Sequence, residues 1–403
     1  MSNMPYPEPG SASDAAFIGI GEIPSGKYPT RGFMAQLVEA AARAIADSGL
    51  KHTDIDQLVL IPNLHGIPDQ ADLIFSRVVE ELGLHGRAKS SMMIHSGGST
   101  SDNATRAAAG LIASGQARNV LVVQSEKWGS ADLSAMVDML SVNGIPREWE
   151  GTSGLQFNAI GGLITQRYMH QSGSTPEEMA SVCVALREWA RLNPNAMWKD
   201  RGLTIEQVLG SKLVADPLRA YECPYLADGA AAFVMTSATE ARKKHDNWVR
   251  IAGSGGCVSH YSSGQDAELG ELGWPKAAVE AYDAAGWGAE EADLAEVYDS
   301  YAAVLTIALE GLGLSKKGEA ARDFHAKRFS PGGGFPLNTN GGLLSAGHTG
   351  VGGGMALLVE AIRQLLHRAE PERQVPSAQR CIVGGSGGSY MDAQIMMLER
   401  VEK

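Results

Sequence analysis

Two glycine-rich segments hold the residues best suited to proton transfer and charge stabilisation. Leu337–Gly354 reads LNTNGGLLSAGHTGVGGG and places His348 in a glycine-flanked loop ahead of a helix expected from about Gly354, with Asn338, Asn340 and Gly347 alongside. An imidazole with an ordinary pKa of about 6.5 suits proton transfer at neutral pH, and bare backbone on both sides lets a substrate approach closely. A loop histidine satisfied by hydrogen bonds is the plainer alternative; the flanking glycines and asparagines favour the chemical one. Arg380–Tyr390, RCIVGGSGGSY, runs a strand into Gly384, Gly385, Gly387 and Gly388. Backbone N–H groups exposed by such a turn suit an oxyanion. Its spacing fits neither a P-loop nor a dinucleotide fingerprint, so a nucleotide loop is disfavoured.

Two further stretches are ambiguous by themselves. Ile94–Asp102, IHSGGSTSD, opens an Ala-rich helix, whose free N–H groups and dipole favour anionic or nucleophilic chemistry, although Ser, Thr and Asp are also ordinary capping residues. In Glu296–Tyr301, EVYDSY, a strand gives way to a helix, so Tyr298 or Asp299 either faces a site or is an edge tyrosine beside an N-cap.

The elements that must position these residues follow from periodicity. Strands are expected at Ala15–Gly21, Ile55–Ile61, Ser90–Ile94, Asn119–Gln124 and Ala230–Thr236, and helices at Phe33–Ser48, Asp72–Leu84 and Ser101–Ser114. Gly49 and Gly115 are suited to helix C-caps. Apolar strands alternating with helices imply a mainly parallel sheet covered on both faces. Residues 129–215 break this rhythm and read as an insertion above the sheet. After the charged break Ala241–Asn247 the order resumes, with strands at Trp248–Ala252, Leu294–Tyr298, Gln379–Val383 and Gln394–Leu398 and helices at Pro275–Ala285, Ala302–Leu312 and Gly354–Leu366. The expected organisation is a loose arm over 1–14, one half over 15–240 that includes the insertion, and a second half over 246–403.

Composition bounds the function. The 403 residues carry 34 Lys+Arg against 46 Asp+Glu, a net charge of −12, which argues against nucleic-acid or anionic-membrane binding. At 44% hydrophobic and 20% charged, the chain can bury a sizeable core. Cys183, Cys223, Cys257 and Cys381 lie far apart without a CxxC pair, which fits neither a metal site nor a disulfide framework and implies reduced thiols in the cytoplasm. No secretory signal or apolar run of spanning length is visible.

NTNGGLLSAGHTG resembles the VNxNGGxxxxGHP loop of thiolases, CIVGGSGG resembles their CIGGGxG turn, and YLADGAAAFVMT (Tyr225–Thr236) resembles the SDGAAA strand that closes their first half. WARLNPNA (Trp189–Ala196) and PLRAYECPYLADGAAA (Pro217–Ala232) are similar to the sterol-carrier-protein branch. From about Phe17 to Leu398 the chain therefore resembles the thiolase superfamily. The resemblance implies an α/β fold of two similar βαβαβαββ halves, with five-stranded mixed sheets in an αβαβα layered body plus a loop domain. It also implies a homodimer, coenzyme A thioester chemistry where the halves meet, and no covalently bound cofactor.

The departures from that pattern bear on the chemistry. In thiolases a cysteine at the start of the helix matching Ser101–Ser114 is acylated; counting back from Gly115 reaches Gly98, with Ser99 beside it, and the first cysteine of this chain is Cys183. Ser99 lacks a readily formed thiolate and has no evident base partner. The sterol-carrier branch carries HDCF where this chain has Tyr298-Asp299-Ser300-Tyr301. His348 matches the GHP histidine, with Thr349 for the proline, and Cys381 matches the acid/base cysteine of biosynthetic thiolases. A thiolase body without its nucleophile resembles the aldolases that shorten steroid side chains, which cleave β-hydroxyacyl-CoA by retro-aldol chemistry alongside a small zinc- and OB-fold-containing partner. On this reading Tyr298, His348 and Cys381 supply proton transfer, and amides around Gly98 and Gly385 hold the enolate oxygen. The alternatives are an acyltransferase with Ser99 or Cys381 as its nucleophile, and a non-catalytic acyl-binding or scaffold subunit.

Overall fold

The computed structural model describes residues 14–62, 73–265 and 271–403, so the arm expected over 1–14 lies outside the described residues except for Asp14. The first alternating run is β1 (Ala15–Gly26), α1 (Phe33–Asp47), β2 (Gln57–Ile61), α2 (Ile74–Glu81), β3 (Ser90–Met93), α3 (Thr100–Ala113) and β4 (Asn119–Lys127). Then come α4 (Leu133–Gly144), α5 (Phe157–Ser172), α6 (Pro176–Leu192), α7 (Ile205–Leu209) and a small hairpin, β5 (Leu213–Ala215) with β6 (Leu218–Arg219). The second run is β7 (Asp228–Ser237), α8 (Ala238–Lys244), β8 (Asn247–Val258), α9 (Trp274–Ala285), β9 (Leu294–Val297), α10 (Ala302–Gly311) and α11 (Ala320–His325). The chain ends with α12 (Gly342–Ser345), α13 (Gly353–Leu365), β10 (Arg380–Gly387) and β11 (Asp392–Glu402).

Strand polarity and burial explain the layering. In β2, Val59 and Ile61 face one apolar cluster while Leu58 and Leu60 face another, the two-residue alternation of a strand buried on both sides. One cluster joins Val59 and Val122 from the first run of strands to Leu294, Val383 and Leu398 from the second, with α3 (Ala104, Ala108, Ile112) and α13 (Leu358, Ile362, Leu365) between them. Helix α1 covers the outer face of the first strands through Leu37, Ala41 and Ile45, and α9 and α10 cover that of the second through Ala277, Ala281, Leu305 and Ala308. This is the αβαβα layering. Among the described residues no helix is long and apolar enough to cross a membrane.

Two sheet expectations need correcting: the sheet is mixed and not mainly parallel, with β9–β10, β2–β3 and β2–β4 parallel and the other five pairings antiparallel, and the pair of five-stranded sheets is joined. β1 and β8 pair through Ala16–Arg250 and Phe17–Val249, so a single nine-stranded sheet runs β3-β2-β4-β7-β1-β8-β11-β10-β9. Five of these strands (β1, β2, β3, β4 and β7) belong to the first half of the chain and four (β8, β9, β10 and β11) to the second. The place of the missing strand is held by Leu337, in one parallel bridge to Ala295. Its neighbour Asn338 has φ 46°, which turns the chain out of the strand. The Asn338 carboxamide then accepts from Val297 N–H at 2.7 Å and donates to Val297 C=O at 2.8 Å. A side chain thus completes the ladder where backbone would otherwise run.

Replacing Asn338 with Ala leaves the buried N–H and C=O of Val297 unpaired. At roughly 1–3 kcal/mol for each orphaned group, Asn338→Ala is expected to lower unfolding free energy by about 2–6 kcal/mol, measured by denaturant titration.

Candidate active site

Strand ends and helix starts converge on one point. Tyr298 follows the carboxyl end of β9 and donates its backbone N–H to Gly384 C=O of β10 at 2.8 Å. Gly98 and Ser99 stand at the amino end of α3, with Ser99 as its N-cap. His348 sits on the loop between α12 and α13, between Gly347 (φ 122°) and Gly350 (φ 66°). Its backbone is clamped on both sides: His348 N–H donates to Tyr225 C=O at 2.7 Å, and Ala227 N–H donates to His348 C=O at 2.9 Å. Carboxyl ends of parallel strands are the ordinary place for ligands in such folds.

The Tyr298 hydroxyl and His348 Nε2 share a hydrogen bond of 3.0 Å. The imidazole also stacks on Trp128, with ring centroids 5.4 Å apart and planes 4° from parallel. Both partners are buried. Burial pushes the His348 imidazole down to about 4, leaving it neutral at pH 7, and pushes the Tyr298 phenol well above its usual range, with the Asp299 carboxylate adding to the effect. Among the described residues His348 Nδ1 has no hydrogen-bond partner. The glycine at 98 is required by space: a Cβ there would lie 2.6 Å from the Tyr298 hydroxyl and closer still to its ring carbon and to Ser386 C=O. The phenol therefore fills the position that a side chain on residue 98 would take.

Ser99 has a carboxylate partner that its sequence neighbourhood does not show. Its Oγ donates to Asp392 Oδ2 at the start of β11 and lies 2.9 Å from Ser96 C=O. Asp392 Oδ1 accepts from Gln394 Nε2 at 2.7 Å, and Gln394 Oε1 accepts from Arg106 at 2.8 Å. The hydroxyl is pinned beneath Gly387, whose added Cβ would meet it at 2.7 Å. Gly385 packs directly on the Asp102 carboxyl, and its own Cβ would lie 3.1 Å from Ser99 Cα. Gly98, Ser99, Gly385, Tyr298 and His348 are thus brought together.

Cys381 is not brought to them. It pairs with Leu294 at the start of β10, four residues before Gly385 and about 13 Å along an extended strand. Its side chain is buried in the cluster with Val383 and Leu398, and burial pushes its thiol well up. The match in letters misleads because the strand runs on to Gly387, six residues past Cys381, before it turns. The expected substrate contacts of Asn338 and Asn340 also give way. Asn338 is occupied with Val297, while Asn340 accepts from Gly342 N–H at 2.7 Å and donates to Ala356 C=O at 3.3 Å. Gly347 is needed for its backbone, since a Cβ there would meet Ser25 Cβ at 2.8 Å.

Asp299, left by the sequence between a site and an N-cap, accepts from Leu343 and Leu344 N–H at 2.8 and 3.1 Å, tying the His348 loop to β9; burial pushes its carboxyl up to about 7. Other residues near the site were not legible beforehand. Tyr390, at φ 74°, accepts from Ser300 Oγ at 2.9 Å and packs edge-on against Tyr301. Asp392, Trp128 and Tyr390 carry no local signal; the acidic Asp102 within GGSTSD was the one available hint. Among the described residues no group of three or more His, Cys, Asp or Glu is placed to hold a metal ion.

A histidine whose folded pKa lies below its unfolded value costs stability as it protonates. His348 is therefore expected to contribute a loss of stability as pH falls from about 6.5 toward 4. His348→Gln should flatten that part of the wild-type Tm profile, measured by thermal denaturation between about pH 4 and pH 7.

Known proteins resemble this chain along most of its length. The family model described as Thiolase C-terminal domain-like matches residues 255–400. The chain is 32% identical over 388 residues to an acetyl-CoA acetyltransferase of Methanocaldococcus jannaschii, covering 93% of this chain and 97% of the relative. It is 30% identical over 374 residues to the 17-hydroxy-3-oxo-4-pregnene-20-carboxyl-CoA lyase of Mycobacterium tuberculosis, covering 88% and 92% of the two chains. The solved Ltp2-ChsH2(DUF35) aldolase superposes with a TM-score of 0.84 at 25% identity, over 96% of this chain and 98% of that one. With its layered fold, its glycine turn facing a histidine loop and full-length likeness to these enzymes, the chain belongs to the thiolase superfamily of enzymes.

Proposed function

We propose that this enzyme cleaves a carbon–carbon bond in a β-hydroxyacyl-CoA by retro-aldol chemistry, without an acyl-enzyme intermediate. The observation that carries the reading is the Tyr298 hydroxyl, which stands against Gly98 in hydrogen-bond contact with His348. Where a nucleophilic side chain would project there is a phenol, paired to a neutral imidazole. That pair suits proton movement. The substrate β-hydroxyl gives its proton to the Tyr298 oxygen as Tyr298 passes its own to His348 Nε2. The Cα–Cβ bond then breaks, its electrons forming the thioester enolate while the β-carbon becomes a carbonyl. Return of the proton through Tyr298 to the enolate carbon restores both residues. Amides at the amino end of α3, around Gly98, are suited to the enolate oxygen, whereas the expected turn amide of Gly385 lies within β10, paired with Gln394 of β11. The named activities of the lyase and aldolase relatives support this direction.

Acyl transfer is the second reading, favoured by likeness to the acetyltransferases. Ser99 would be its nucleophile, but its hydroxyl is turned to Asp392 and Ser96. As partners we propose a second copy of the chain and a small zinc- and OB-fold-containing protein. The aldolase relative was solved with a DUF35 component, and β3, the sheet's edge strand among the described residues, offers backbone to another strand. The cytoplasmic location proposed for it is supported by four free cysteines.

Tyr298→Phe and His348→Ala should each lower kcat by about 10²–10⁴-fold while far-ultraviolet circular dichroism stays native. With β-hydroxyacyl-CoA panels, mass spectrometry should detect a carbonyl product and a shortened acyl-CoA. A base-labile acyl group on Ser99 during steady-state turnover would replace this mechanism with acyl transfer. Sedimentation of the purified chain should give a mass of twice the protomer, and a monomer at micromolar concentration would remove the second copy.

A further inference from the structure

Asp102 is a buried carboxyl that the proposed proton transfers do not use. It lies in the first turn of α3, 1% exposed, with Oδ2 packed under Gly385 and 3.3 Å from the Ser101 hydroxyl. Among the described residues its Oδ1 has no hydrogen-bond partner. A carboxylate with a bare oxygen in such a place carries a large desolvation cost, whereas a carboxylic acid does not. The groups that face it come from three elements. Asp392 on β11 brings a second negative charge, and Arg106, one turn along α3, is already engaged with Gln394. Gly385 of β10 and the hydroxyls of Ser99 and Ser101 bring no charge. Burial first, then Asp392, outweighs Arg106 and the Asp102 backbone and Ser101 hydrogen bonds and pushes the carboxyl up to about 8.

We propose that Asp102 is a positioning residue that works as a neutral acid. Protonated, it leaves the positive amide end of α3 free for the negative charge that forms on a bound thioester oxygen; ionised, it cancels that field from below. The inference rests on the reading above that a thioester oxygen is held at this helix end. It goes further in assigning the electrostatic state that the site needs. Asp392 and Asp102 thereby divide the labour: one carboxylate holds Ser99 and the turn in place, and the other stays uncharged.

The test reads binding without turnover. Acetoacetyl-CoA is the probe, since its enolate carries the relevant charge. The ratio of wild-type to Asp102→Asn dissociation constants, which cancels ionisation of the probe itself, is expected to rise about five-fold or more between pH 7 and pH 9.5. Asp392→Asn removes the like charge and should move the rise to lower pH. A raised carboxyl pKa also costs stability progressively as pH climbs from about 4 to about 8, so the Tm advantage of Asp102→Asn should grow over that range. A dissociation-constant ratio that stays flat with pH overturns the proposal, as does a Tm difference that does not change. Failure to find carbon–carbon cleavage with any substrate would instead overturn the reaction assigned above, because neither measurement here depends on it.

Discussion

A phenol and a backbone compete for the same few cubic ångströms at residue 98, and the phenol has won. Tyr298 reaches across from β9 until its hydroxyl touches the Gly98 Cα region, and only glycine leaves room for it. Once the ring is there, its hydroxyl has one strong partner, His348 Nε2, and both are stripped of water. Desolvation then keeps the imidazole neutral and the phenol protonated, which is the pair of states a proton shuttle needs. A steric fact at one glycine thereby sets the protonation chemistry of the site.

Holding that contact takes tethers from distant parts of the chain. The loop that bears His348 is fastened to β9 at two places, by Asn338 on the backbone of Val297 and by Asp299 on the amides of Leu343 and Leu344. Its other side is clamped to the segment Tyr225–Ala227 that leads into β7, and the ring rests on Trp128 from the end of β4. Each tether satisfies a buried backbone group or fills a buried surface, so the same interactions that stabilise the body also locate the imidazole. The site is assembled by packing.

Electrostatics at the amino end of α3 follow from what surrounds it. The helix end favours negative charge, yet it already has Asp102 within its first turn and Asp392 close by. Hydrogen bonds from Ser99 and Gln394 accommodate Asp392, while Asp102 keeps one oxygen bare. Two carboxyls close together at one buried helix end cannot both ionise cheaply, and Asp102, with its bare oxygen, is the one whose carboxyl is pushed up. That asymmetry distinguishes a structural acid from a tuning one.

Most of the order of strands and helices and the histidine loop were legible in the chain, because apolar periodicity and glycine clustering are local properties; α8, over the stretch read as a charged break, and the continuation of β10 through Gly387 were not. So was the absence of a cysteine before Cys183, which limits covalent acyl chemistry at the start of α3. What tertiary structure decided was which letters meet. Cys381 matches a motif yet stays in the core because β10 runs on to Gly387, whereas Asp392, 293 positions from Ser99, becomes the partner of Ser99. Sequence determined the scaffold and the missing thiol, since both depend on residue type and near-neighbour spacing. Contact, burial and the resulting protonation states depend on how strands distant in sequence lie side by side, and the fold alone sets that.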